Sequence, residues 1–199
     1  MSHINSIGAG MYSDLSIAMP ATPPSFVDLD TFSEFSPAFA TEIPSVGGTK
    51  GAGAFVRVLN VREFPAMGIP PNVVNVPTYG QKTTQQIQGQ SDAPTMEVTL
   101  NFVPSEWSKE AGCLLGNAVG DGKQYIFRFT LMNVEPTGSG ATKFASSAVG
   151  LGTVMNSQWF WIGKLDALLV SPQLNDANTA TLTMTLQSPL YGAYTSNTV

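Results

Sequence analysis

Between Thr95 and Asn133 the chain reads TMEVTLNFVPSEWSKEAGCLLGNAVGDGKQYIFRFTLMN. This stretch constrains the fold more than any other. From Thr95 to Val103, Met96, Val98, Leu100 and Phe102 alternate with Thr95, Glu97, Thr99 and Asn101, the period of two that a half-buried antiparallel strand requires. Pro104-Ser105-Glu106 then has the chemistry of a helix start, with Ser105 as cap and an acid in the first turn. Trp107, Ala111, Leu114 and Leu115 recur at helical spacing, and Gly116 and Gly120 read as stops. The pattern predicts one helix of about 10–12 residues, roughly 15–18 Å long, packed through Trp107, Leu114 and Leu115. Asp121-Gly122 is a turn signal, and Tyr125–Val134 is the next strand, with Tyr125, Phe127, Phe129 and Leu131 on one face.

Further strands are expected at Ala54–Val61, Val73–Val76, Ser157–Leu165, Ala167–Val170 and Thr179–Gln187. The expected fold class is mainly β: an antiparallel β-sandwich with one flanking α-helix, long loops and an extended N-terminal arm. The chain divides into an arm and linker at 1–53, a β-sandwich domain at 54–187 and a tail at 188–199. The arm holds Pro23-Pro24, which excludes regular structure locally, but also Phe26, Phe32, Phe35 and Phe39. So many large apolar groups suit a segment lying on a surface, with a short strand near Ser25–Leu29. The connections 64–94 and 135–156 are longer than structureless loops in compact domains usually are. The sequence reading assigns their ordering to neighbouring subunits, with Phe26, Phe32, Phe35, Phe39 and Phe144 as candidate inter-subunit contacts.

Charge narrows the functional classes. Charged residues make up 12% of the chain, about half the usual share. Residues 1–49 carry five acids and no Lys or Arg, whereas from Lys50 onward nine acids face nine bases. No basic cluster exists to displace counterions from nucleic acid, so stable binding of DNA or RNA is not expected. One Cys allows no intrachain disulfide. No apolar run approaches the roughly 18 residues of a membrane span, and the N-terminus does not read as a secretory signal. The chain is expected to fold in a reducing cytoplasm.

Catalytic chemistry is sparse. The single His, His3, sits near the N-terminus, so a Ser-His-Asp group or a typical zinc site has no support. Cys113 reads as a small buried hydrophobe, and Glu106 and Glu110 as a solvated helix face. Gly47–Gly53 (GGTKGAG) lacks the phosphate-loop spacing and reads as a joint before the strand at Ala54. Trp159 and Trp161 share one strand face, where packing competes with stacking on sugars. No enzyme activity, cofactor or metal is expected. The hydroxyl rows at Thr95–Asn101 and Thr179–Gln187 read either as an ordinary solvated face or as a wall past which a polyanion slides without phosphate contacts.

The order strand, Pro-Ser-x-Trp helix, Gly turn, aromatic strand, long loop and two further strands resembles the major tail tube proteins of long non-contractile (siphovirus-type) phage tails. Within these it looks most like those of flagellum-dependent phages. Contractile tail tubes and the tube protein of type VI secretion are similar. The resemblance covers roughly residues 54–187, and it is architectural. It implies a structural virion protein, assembled in the host cytoplasm, whose hexameric rings stack into a tail tube around a tape-measure protein, between tip and terminator proteins. Genome DNA would pass through the lumen without stable binding, with no membrane involved. The lumen-facing candidates are Thr95, Glu97, Thr99, Asn101, Thr181, Thr183, Thr185 and Gln187. Family lumens are expected to be acidic, whereas here the net charge lies in residues 1–49. The rival readings are a decoration or tail-terminator protein, and a carbohydrate-binding β-sandwich.

Overall fold

The computed structural model describes residues 12–21, 29–68, 73–77, 79–80, 82–83, 85–88, 95–151 and 156–195. The fold is mainly β. In chain order the elements are β1 (Asp14–Ala18), α1 (Phe32–Phe35) running into a 3-10 turn (Ser36–Phe39), β2 (Thr41–Glu42), β3 (Ala54–Arg57), β4 (Val61–Glu63), β5 (Val73–Val76), β6 (Gln85–Gln88), β7 (Thr95–Asn101), α2 (Pro104–Trp107), α3 (Leu114–Ala118), β8 (Tyr125–Leu131), β9 (Ser157–Ser171), β10 (Thr179–Leu186) and β11 (Tyr191–Tyr194). Among the described residues, nine strands form one sheet in the order β2-β3-β1-β8-β9-β10-β7-β4, and β11 also pairs with β9. The β2–β3 pair is parallel and the others are antiparallel.

β9 joins the two halves of the sheet. Its first part, from Ser157 to Gly163, pairs with β8, and Gly163 onward pairs with β10. At this crossover a Cβ on Gly163 would lie 2.8 Å from the Thr185 carbonyl oxygen and 3.3 Å from the Phe127 ring, so only glycine fits. A bulge between Thr183 and Met184 steps past Asp166. The sheet thereby curls, and its inner faces enclose one core. β1 contributes Leu15 and Ile17, β8 Phe127 and Phe129, β9 Trp161 and Leu165, β7 Met96, Val98 and Leu100, and β10 Leu182 and Met184.

The outer face differs between the halves. Over β3, β1, β8 and the start of β9 it carries a second apolar layer: Phe32, Phe35 and Phe39 cover Phe55, Ile126, Phe160 and Ile162. The Phe35 and Phe160 rings stack with centroids 5.1 Å apart. Under this layer lies a buried ion cluster. Arg128, fully buried, donates from Nη2 to Asp14 Oδ2 (3.3 Å) and Ser16 Oγ (2.9 Å), and from Nη1 to Ser146 Oγ (3.2 Å). Arg57 Nε donates to Asp14 Oδ1 at 2.6 Å. Burial pulls the Arg128 guanidinium down to about 10, a shift opposed by the adjacent Asp14 carboxylate. The Phe39 and Phe55 rings lie 4.8 and 4.9 Å from the guanidinium carbon.

Several expectations are corrected. Residues 1–53 are not an arm throughout: the buried strand β1 sits between β3 and β8, inside the sheet. Phe32, Phe35 and Phe39, expected at inter-subunit contacts, are buried at 5%, 0% and 0% exposure against their own chain. Phe26 and most of the expected strand at Ser25–Leu29 lie outside the described residues. The single helix is two short ones, because Ser108 is extended (ψ 155°) and Gly112 takes a left-handed φ of 90°. The cap position is Val103, with Pro104 rather than Ser105 opening the helix. Gly116, read as a stop, lies inside α3, where a Cβ would sit 1.9 Å from the Ser108 carbonyl oxygen. Asn60, at φ 59°, breaks the expected strand Ala54–Val61 into β3 and β4. Ser157–Leu165 and Ala167–Val170 are one bulged strand, and the tail contributes β11. Residues 135–151, expected to need a neighbour, form a strap over their own sheet: Ala145, Ser146, Val149 and Leu151 are buried, and Ser146 N donates to Phe39 O at 3.0 Å.

Two substitutions test this construction. Gly163→Ala is expected to lower stability by about 1–3 kcal/mol through overpacking at the β9 crossover, read as a lower denaturation midpoint. Asp14→Ala removes the carboxylate facing Arg128 and leaves an uncompensated buried charge, with an expected loss of about 3–5 kcal/mol; an unchanged midpoint would place Arg128 in solvent.

Candidate functional site

Among the described residues, none forms a covering layer over the second half of the outer face. β7 and β10 pair in register over seven residues, so that Asn101, Thr99, Glu97 and Thr95 stand opposite Thr179, Thr181, Thr183 and Thr185. Directly opposed residues of a ladder share a face. Met96, Val98, Leu100, Ala180, Leu182, Met184 and Leu186 take the other face and are buried. The period-two patterns of both strands therefore sum to a hydroxyl wall, with Gln187 exposed at its end.

The wall extends onto both neighbouring strands. Across β10, Lys164, Ala167, Leu169 and Ser171 of β9 face Thr185, Thr183, Thr181 and Thr179. The bulged Asp166 accepts a hydrogen bond from Thr185 Oγ1. On the far side Glu63 of β4 is the register partner of Thr99. Three carboxylates (Glu63, Glu97 and Asp166) thus stand with the ammonium of Lys164, and Arg62, beside Glu63 on β4, is paired with Asp176 at 4.0 Å, so the wall is net acidic although the chain from Lys50 onward is neutral. Leu169, 64% exposed, is its one large apolar side chain.

A second exposed feature lies in the connection between β4 and β7. Phe64 turns inward onto Phe129, with centroids 5.1 Å apart, which ends β4, and Pro65 follows with no N–H to continue a ladder. β5 and β6 then form a two-stranded sheet of their own. Val74 faces Ile87 across it and Val76 faces Gln85, and Val74, Val76 and Ile87 are exposed. An isolated two-stranded hairpin is marginal in water, and the only charged residue between Phe64 and Ser91 is Lys82. A cleft of about 370 Å³ at the start of β7 and the end of β10 is lined by Pro65, Gly68, Thr95, Glu97, Leu186 and Leu190, among others.

The remaining candidates fall elsewhere. Trp107, Leu114 and Leu115 are buried in the main core. Phe144 is half-buried on the strap, with the Arg57 guanidinium carbon 3.3 Å from its ring centre. Trp161 is fully buried and stacks on Phe127 at 5.4 Å, while Trp159 packs on Phe129 at 5.7 Å; the pair offers no stacking platform for a sugar. Cys113 is buried, and its thiol donates to the Glu106 carbonyl oxygen at 2.9 Å. Burial raises the Glu106 carboxyl above its ordinary value. Among the described residues no group of three or more His, Cys, Asp or Glu is placed to hold a metal ion, and no helix is long and apolar enough to cross a membrane. The sequence reading missed Glu63, Lys164 and Asp166 as wall residues. Strand pairing places the first two, and a bulge with no marker in the local alternation places the third.

No protein-family model matches the chain, and no curated protein matches it. Among solved structures, the chain is similar to the sheath/tube terminator of an extracellular contractile injection system, PVC, in its extended state. The TM-score is 0.44 and the identity 13%, covering 73% of this chain and 88% of that one.

Proposed function

We propose that this chain is a non-enzymatic structural subunit of a phage tail tube, assembling into hexameric rings that stack around a channel for genome DNA. The observation that carries the reading is the division of the outer sheet face. One half is sealed by the chain's own aromatic layer, whereas the other, uncovered among the described residues, is hydroxyl-lined and net acidic.

A duplex sticks to a protein by releasing counterions to Lys and Arg. A wall with three carboxylates and one ammonium repels phosphate at short range, while its hydroxyls keep it wetted. The bare half-face is assigned to the lumen, with Thr95, Glu97, Thr99, Asn101, Thr181, Thr183, Thr185 and Gln187 facing the channel. The sealed half-face and its strap are assigned to the outside of the ring. The hairpin β5–β6, a sheet of its own among the described residues, supplies contact between subunits: its exposed apolar side chains are liabilities in a monomer and find cover in an assembly. Tape-measure and tip or terminator proteins complete the particle.

Electron microscopy of concentrated protein, with its mass measured in parallel, tests the reading. Hollow sixfold rings stacked into tubes are the expected result. Single closed rings that never stack would assign the terminal-ring role instead, and monomers at every concentration would count against self-assembly. The double substitution Val74→Glu and Ile87→Glu, on residues exposed in the monomer, is expected to abolish stacking while leaving the melting temperature within about 2 °C. In assembled tubes Glu97→Lys is expected to make the lumen retain short DNA at low salt, with release on raising the salt; retention that is equal for both proteins would move Glu97 off the channel wall.

A further inference from the structure

Beneath the strap, on the sealed half of the outer face, the sheet carries a column of polar side chains that the tube reading does not use. Thr130 of β8 and Gln158 of β9 are register partners, and both are fully buried. Asn156 and Arg128 lie two residues from Gln158 and Thr130, so they project to the same side, and they are also fully buried.

Five polar atoms of this column have no hydrogen-bond partner: Arg128 Nε, Thr130 Oγ1, Asn156 Nδ2 and both amide atoms of Gln158. The one other such side-chain atom among the described residues, Trp161 Nε1, belongs to the inner face. Buried polar groups in folded proteins are almost always bonded to protein or to ordered water. Five orphans on one face, two of them on a single amide, therefore mark a place where something polar sits between sheet and strap.

Their chemistry selects the occupant. Arg128 Nε, Asn156 Nδ2 and Gln158 Nε2 only donate, Gln158 Oε1 only accepts, and the Thr130 hydroxyl does either. A bound anion would leave Gln158 Oε1 facing negative charge, and a cation would meet the Arg128 guanidinium. A species that both donates and accepts fits all five atoms. We propose that the column is an internal hydration site, in which about two water molecules, each making about three hydrogen bonds, bridge β8 and β9 under the strap.

The seam is wet rather than dry. The strap is held to the sheet by the direct bond from Arg128 Nη1 to Ser146 Oγ (3.2 Å), the bond from Asn133 N to Asn156 Oδ1 (2.9 Å) ties the end of β8 to the start of β9 beside it, and water fills the centre. This inference rests on the monomer's own packing, so it stands or falls independently of tube assembly.

Water–amide NMR on isotope-labelled full-length protein tests it. The side-chain NH2 groups of Gln158 and Asn156 are expected to show cross-peaks at the water frequency with the sign of long-lived bound water. Thr130→Val removes one anchor of the bridge, and the Gln158 cross-peak is expected to weaken at least twofold. Native protein without a water cross-peak at Gln158 would overturn the site. So would an undiminished Gln158 cross-peak in the valine variant, because the water would then not be the one bridging Thr130.

Discussion

The structure depends on one strand being shared by two half-sheets. β9 runs for 15 residues, about three times the usual strand length, and hands its ladder from β8 to β10 at Gly163. Because the Thr185 carbonyl comes within 2.8 Å of where a Cβ would stand, the handover needs a residue with no side chain. Everything else follows from that crossing. The halves curl toward each other, the inner faces close on a common core, and the single outer face is divided into two territories with different fates.

The fates differ because the amino-acid alternation differs. On β8 and the start of β9 both sets of alternating positions are buried, so that half must be covered twice. The chain covers it with the Phe32–Phe39 segment, β11 and the strap. On β7 and β10 one set is apolar and the other is Thr, Glu and Asn, so a single core suffices. Covering the first half brought Arg128 under the aromatic layer, and the insertion of β1 beside it is what makes that burial tolerable. Asp14 reaches both Arg128 and Arg57 from the same strand end, so the N-terminal strand supplies the counter-charge as well as the ladder.

Legibility in the sequence followed from how local the determining physics was. β7, β8 and β10 were readable from alternation and aromatic spacing, and the two hydroxyl rows were readable as one polar face. β1 was not, because DLSIA lies in a Ser-, Pro- and Gly-rich stretch and all five of its residues are buried, which gives no alternation to find. The Phe32–Phe39 cluster was visible, but its target was not: three phenylalanines fit a neighbour's surface as well as the chain's own, and only the pairing of β9 with β8, and of β3 with β1, brings Phe160 and Phe55 onto one face beneath them. The helix failed for a steric reason, since Gly112 and the approach of Gly116 to Ser108 convert one expected helix into two packed turns. The net charge of the candidate wall was also hidden. Glu63 lies a whole strand-and-loop series before Lys164 and Asp166 in the sequence, and they come to one face only through ladder register and the β9 bulge.

A neutral chain body is compatible with an acidic wall. Charge balance over a sequence says nothing about charge balance over a face. Of the bases from Lys50 onward, Arg128 is spent in the core, Arg57 on Asp14, and Lys143 on Glu135, all on the sealed side or under it. Lys164 stands on the hydroxyl wall with three carboxylates, and Arg62 of β4 is paired with Asp176. A surface built this way needs no excess of acids in composition, because three of the nine cations are consumed on the opposite half of the sheet. In a ring of identical subunits each copy would repeat the same imbalance around the channel. Under the tube proposal, even a modest local excess of about two negative charges per subunit would become a continuous field along the bore.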